Sequence, residues 1–260
     1  MDLFGSDDEE EERDSTLVRP KTCGVLAFHP GTEQALILHV KRTSRGGDVG
    51  EILRAVDVFC STRHWMMHVG PVKAKIIKQE ISSRLESDCR TSLVCVELGS
   101  YCGYSACTLA SHLLAAFPER PLRYICIEGD PECVGWSREL VEYCSLSHII
   151  TVVEGTVSST LTTNVVTDLV GEDGKIDLLF IDHDKAAYRS DLELIEKANL
   201  LRSGSVVAAD NVLSFGKPIV DYLTYVRDPE RFSSSELFLS SVEYSEEGEE
   251  EDGVEISIKA

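Results

Sequence analysis

From residue 93 onward the chain alternates short apolar runs with longer stretches of helical period. The runs fall at 93–98, 123–128, 149–153, 176–181 and 205–209. Between them, 104–116, 132–144, 158–170 and 188–201 carry apolar residues at helical spacing, and 218–226 reads as a further helix. Pro131 is placed to open the second of these helices, and Gly204 to close the fourth. The run 176–181, Ile-Asp-Leu-Leu-Phe-Ile, does not alternate, which fits a strand buried on both faces. Two last segments, 237–244 and 254–259, flank an acidic turn and predict an antiparallel hairpin. Strand and helix in regular succession, ending in a hairpin, predict an α/β doubly wound domain, its sheet mostly parallel with an antiparallel edge.

Ahead of the first strand, three helices are expected over 32–42, 49–63 and 72–85, with Thr32 capping the first. Residues 65–70, Trp-Met-Met-His-Val-Gly, are apolar without a regular period. Helices in this position predict a cap beside the binding face.

Composition narrows the function. The chain has 260 residues, a length for one α/β domain with additions. Its net charge is -20, but residues 1–14 hold eight acids against one arginine, and 245–253 hold six acids and no base. The remaining body is mildly acidic, which argues against nucleic-acid binding through a basic surface. The acidic stretch up to residue 31 is expected to be a disordered extension that keeps the chain soluble; the sharper reading is a docking tail for a basic protein partner. Nine cysteines without a C-x-x-C pair predict reduced thiols in a cytoplasmic protein. No apolar run reaches the roughly 18 residues of a membrane span, and no secretory signal is expected.

Candidate chemistry follows the strand ends, where ligands bind in such sheets. The first run ends in Glu97-Leu98-Gly99-Ser100-Tyr101-Cys102-Gly103, a strand–turn–helix junction at which glycines admit a close ligand. Glu128 closes the second run and is placed to accept hydrogen bonds from a ribose. The fourth run leads into Asp182-His183-Asp184-Lys185 and the fifth into Asp210-Asn211. If those strands are neighbours, Asp182, Asp210 and Asn211 converge as hard oxygen ligands suited to Mg²⁺. Lys185 beside them is disposed to act as a base. His183 alone reads as a packing or capping residue. A G-x-S-x-G elbow, an H-E-x-x-H pair and a P-loop are all missing from the sequence.

Taken together, E-L-G-S-Y-C-G-Y-S, the I-E after the second run, D-H-x-K after the fourth and A-D-N after the fifth resemble the catechol O-methyltransferase family. The similarity extends upstream through W-M-M-H-V-G-P-V-K-A-K and downstream to S-V-E-Y, covering roughly 32–259. The resemblance implies a single Rossmann-like methyltransferase domain over 32–260 with N-terminal cap helices. It implies S-adenosyl-L-methionine and Mg²⁺ as cofactors and a small aromatic diol as substrate. Gly99, Tyr101 and Ser105 would line the methionine part of the cofactor, and Glu128 would hold its ribose. Gly155 and Ser158 would meet adenine, with His183 flanking the ring, while Met67 and Val69 would border cofactor and substrate. Glu97 and Asp182 complete the cofactor set. Asp182, Asp210 and Asn211 would hold the metal. Lys185 would take the proton of the attacking hydroxyl and Glu243 would hold the second one. Trp65, Phe215 and Asn211 would shape the acceptor slot with them.

Four positions depart from the family's pattern. Asp184 replaces a tryptophan, Ser158 a glutamine, Phe215 a proline and His68 an asparagine. The expected activity is Mg²⁺-assisted methyl transfer to one hydroxyl of a catechol. The competing readings are a different aromatic diol as acceptor, and a binding protein with a degraded cofactor pocket.

Overall fold

The computed structural model describes residues 31–86, 90–171, 174–213, 217–244 and 251–260. The extension up to residue 30, Phe215 and residues 245–250 of the acidic turn lie outside the described residues. Five strands form close to the apolar runs: β1 (Leu93–Leu98), β2 (Leu122–Glu128), β3 (Ile150–Glu154), β4 (Ile176–Ile181) and β5 (Leu201–Ala209). With β6 (Phe232–Ser241) and β7 (Glu251–Lys259) they make one sheet in the order β3-β2-β1-β4-β5-β7-β6. The first five are mutually parallel, and β7 is antiparallel to both β5 and β6. Chain order reverses between β1 and β4, where a doubly wound sheet opens its binding crevice.

Helices cover both faces. Helices α1 (Thr32–Thr43), α2 (Val49–Thr62), α3 (Gly70–Glu86), α4 (Tyr104–Ala116) and α5 (Pro131–Tyr143) pack on one. The other carries α6 (Val157–Thr162), α7 (Val165–Val170), α8 (Tyr188–Lys197) and α9 (Val220–Val226). Double coverage is why β4 needs no alternation: Leu178, Leu179, Phe180 and Ile181 are all fully buried. Each such side chain contributes about 1.5–3 kcal/mol by leaving water. The one charge in that strand, Asp177, is satisfied by Arg90 at 2.9 Å, Arg202 and the Val94 amide at 2.8 Å. It stands at the end of the strand away from the crevice.

Several boundaries differ from expectation, each for a local reason. The fourth core helix stops at Lys197, not 201. Asn199 closes it in the left-handed conformation (φ 56), with Leu200 N–H on Ile195 O at 3.2 Å and Asn199 N–H on Glu196 O at 2.8 Å. Gly204 instead lies inside β5, beside a register shift against β4. Segment 158–170 is two short helices separated by left-handed Asn164 (φ 58). Thr32 is the first residue of α1, and Gly31 is its N-cap. The sixth strand runs 232–241 rather than 237–244, because an edge strand with one wet face tolerates the serines that begin it.

Among the described residues, no helix is long and apolar enough to cross a membrane. The seven cysteines among them are free and buried.

Candidate active site

At the carboxyl ends of the strands, a ladder of backbone hydrogen bonds sets four loops at one level. Asp210 N–H donates to Ile181 O (3.0 Å), Asp182 N–H to Leu98 O (2.9 Å), Gly99 N–H to Ile127 O (2.9 Å) and Gly155 N–H to Glu128 O (2.8 Å). Above this level opens a cavity of about 870 Å³. Trp65, Met67, Val69, Gly99, Tyr101, Ser105, Glu128, Gly155, Asp182, His183, Lys185, Asn211 and Glu243 all line it. Of the other expected site residues, Glu97, Ser158 and Asp210 do not line it, and Phe215 is outside the described residues. Thr156 and Val157 stand at the wall that Ser158 was expected to form.

The glycine turn after β1 is forced by its neighbours. Gly99 has φ +85, and a Cβ there would lie 2.5 Å from the Asp182 carbonyl oxygen. Gly103 (φ +84) is the N-cap of α4, packed on Ser137 of α5. Between them the chain turns its amides toward Glu128: Ser100 and Tyr101 N–H each donate to Oε2 at 2.9 Å, and Asp130 N–H donates to Oε1 at 3.0 Å. Tyr101 then reaches α1, its hydroxyl donating to Glu33 at 2.8 Å. Glu97 is fully buried behind this turn and accepts from the Ser105 and Tyr124 hydroxyls, both at 2.5 Å. Burial pushes its carboxyl up to about 7. Its place is to hold Ser105, which itself faces the cavity.

His183 lies nearly flat on Tyr188 (5.3 Å, 13°) and is held by Asp191 at 2.9 Å. Asp184 lines the cavity and accepts from the Ala186 amide at 3.1 Å, capping the 3-10 turn Lys185–Ala187. That turn aims Lys185 across the strand ends. Its Nζ donates to Asn211 Oδ1 at 3.0 Å and lies 3.6 Å from Asp182.

The pairing of Ile181 with Ala209 places Asp182 and Asp210 side by side, as adjacency of the strands requires. Asp210 Oδ1 accepts from the Asn211 amide at 2.8 Å and from Lys73 at 3.0 Å, whereas its Oδ2 is buried with no partner. Burial raises both aspartates' pKa values; Lys185 and Lys73 oppose it for Asp182, and Lys73 opposes it for Asp210. Two desolvated carboxylates, one with an orphaned oxygen, beside an amide oxygen fit a hard divalent cation. Among the described residues, no three His, Cys, Asp or Glu side chains gather into a metal site; this candidate set is completed by an asparagine.

Two residues of this cluster escaped the sequence reading. Lys73 is 1% exposed and faces Glu243 (2.5 Å), Asp210 (3.0 Å) and Asp252 (3.0 Å). Burial alone would lower its pKa, but the three acids more than reverse that and raise it well above the lysine norm. A signal existed: Lys73 occupies the buried stripe of α3 with Ala74, Ile77, Ile81 and Leu85, where a lysine is out of place. Asp252 sits in the acidic run 246–252 and nothing in sequence separates it from the other acids there.

Comparisons with known proteins agree with this architecture. Residues 96–212 match a methyltransferase domain family. Catechol O-methyltransferase of Bos taurus is 34% identical over 226 residues, covering 85% of this chain and 75% of its own. The Mus musculus enzyme of the same name is 32% identical, covering 82% and 74%. The fold is also that of an O-methyltransferase from Bacillus cereus crystallised with SAH, at TM-score 0.59 and 18% identity over 90% of this chain and 94% of that one. The shared sequence spans both the glycine turn and the Asp182–Asn211 cluster, and on it the chain belongs to the catechol O-methyltransferase family of class I, S-adenosylmethionine-dependent O-methyltransferases.

Proposed function

We propose that this protein transfers the methyl group of S-adenosyl-L-methionine to one hydroxyl of a catechol-type small molecule, assisted by Mg²⁺. The observation that carries the reading is a single cavity that joins the Gly99 turn and Glu128 to Lys185, Asn211 and Glu243. Gly99 lets the turn close against the Asp182 backbone at the edge of this cavity, and Glu128 is fixed at the end of β2 where a ribose is held in doubly wound sheets.

Asp182, Asp210 through its free Oδ2, and Asn211 are the residues that would hold Mg²⁺. When bound, the metal would supply Lewis acidity to the acceptor hydroxyl. The protein's own groups do the rest. Trp65 walls the acceptor slot and is fixed by its Nε1–H donating to Glu243 O at 3.0 Å. The Glu243 carboxylate holds one hydroxyl, and Lys185 Nζ takes the proton of the other. That oxygen bonds to the methyl carbon as the carbon–sulfur bond breaks, its electron pair passing to sulfur. Holding both reactants in one cavity supplies much of the rate, since well-oriented partners gain effective molarities of about 10⁵–10⁸ M.

The test is methyl transfer to a simple catechol, run with Mg²⁺ and with EDTA. Metal-dependent transfer is expected. Transfer unaffected by EDTA would reject the metal assignment, and cofactor binding without any transfer would reject catechol as acceptor.

A further inference from the structure

Lys73 does not itself line the cavity, yet it is bonded to two acids that do, Glu243 and Asp252. Its Nζ comes from α3, a cap helix, while Asp210 follows β5, Glu243 follows β6 and Asp252 belongs to β7. Asn211 shares the same oxygens: its Nδ2 donates to Glu243 Oε1 at 2.8 Å and to Asp252 Oδ2 at 2.6 Å. Without the ammonium, three buried acids would face one another around a single amide. Lys73 also divides the two oxygens of Asp210, engaging Oδ1 and leaving Oδ2 unpartnered.

We propose that Lys73 is a positioning residue: its ammonium holds Glu243 in place for the acceptor hydroxyl and ties up Oδ1 of Asp210, so that Oδ2 is the oxygen left for a divalent cation. This rests on the metal-assisted reading above. It has two consequences of opposite sign. A fixed positive charge on the same carboxylate repels an incoming cation, so Lys73 weakens metal binding. The same charge fixes Glu243, so Lys73 strengthens acceptor binding. A lysine needed only for folding would, on removal, weaken both.

The test compares the full chain with Lys73→Met. Mn²⁺ affinity is measured by titration calorimetry without methyl donor, and KM for catechol is measured at saturating Mg²⁺. The Mn²⁺ Kd is expected to fall, and the catechol KM to rise, each by about tenfold or more. The Kd for S-adenosylmethionine should stay within about twofold, since distant sites respond independently. If Lys73→Met does not fold, Lys73→Met with Asp252→Asn is compared with Asp252→Asn alone, so that only the lysine's charge differs, and the same expectation holds. A folded variant in which metal and acceptor affinities both weaken, or neither changes, overturns the proposal, as does failure of both variants to fold. Wild-type protein that binds no Mn²⁺ would instead remove the metal reading, and this inference with it.

Discussion

The carbonyl oxygen of Asp182 lies 2.5 Å from where a Cβ on Gly99 would stand. Strands β1 and β4 thus meet at the chain reversal with no space for a side chain. In Gly99→Ala, the left-handed backbone alone would cost about 1–2 kcal/mol. The clash adds to this, because its partner is backbone and cannot rotate away. The expected result is a Tm lower by at least about 4 °C. S-adenosylmethionine binding should weaken about tenfold or more, because the cradle and Asp182 shift together. Calorimetry on folded Gly99→Ala checks this; unchanged affinity would show that the turn is not the cofactor cradle.

Lys185 reaches Asn211 and Asp182 from a turn rather than a helix, so its removal disturbs no core packing. Lys185→Met keeps the apolar stem and deletes the nitrogen. Loss of a general base costs about 10²–10⁴ in kcat. Cofactor affinity should be unchanged, which a direct binding titration beside the rate measurement would establish. Turnover at the wild-type rate would remove Lys185 from the proton transfer.

What the sequence disclosed was whatever local pattern controls. Buried parallel strands write themselves as apolar runs, so β1 and β4 fall at the expected residues. Asp182, Lys185 and Asn211 were legible because strand ends in a doubly wound sheet face one crevice. Helix ends were not, since Asn199 competes with Gly204 for the left-handed position and only packing decides between them. Lys73 and Asp252 come together across 179 positions, and no local signal reports a contact of that span. Glu97 was expected at the cofactor, but the pleat of β1 turns it inward to Ser105 and Tyr124.

Glu97 gives the protein a pH dependence of definite sign. Burial, opposed by the Ser105 and Tyr124 hydroxyls, lifts its pKa from 4.5 to about 7. Across that window the folded state keeps a proton that the unfolded chain has lost. Stability therefore falls as pH rises from 4.5 toward about 7, by up to about 1.4 kcal/mol per unit. Glu97→Gln removes the titration, so wild type should lose stability relative to the variant as pH rises. Denaturant unfolding in EDTA at several pH values measures the difference; a flat difference would place the Glu97 carboxyl outside this window.

His68 acts in the opposite direction. Its ring packs between Tyr101 (5.3 Å) and Tyr104 (5.4 Å), 4% exposed, with Nε2 buried and unpartnered. Burial lowers its pKa from 6.5 to about 3. The folded state then refuses a proton that the unfolded chain accepts. Stability from this residue is complete above pH 6.5 and is lost as pH falls toward about 3, again by up to about 1.4 kcal/mol per unit. His68→Asn should flatten that acid limb while losing about 1 kcal/mol of aromatic packing at neutral pH. It should leave the pH–rate profile parallel to wild type between roughly pH 6 and 8, because the ring is neutral throughout. A wild-type rate limb near pH 6.5 that disappears in His68→Asn would mean that the imidazole titrates in the folded enzyme, and that water reaches Nε2 beside Tyr101.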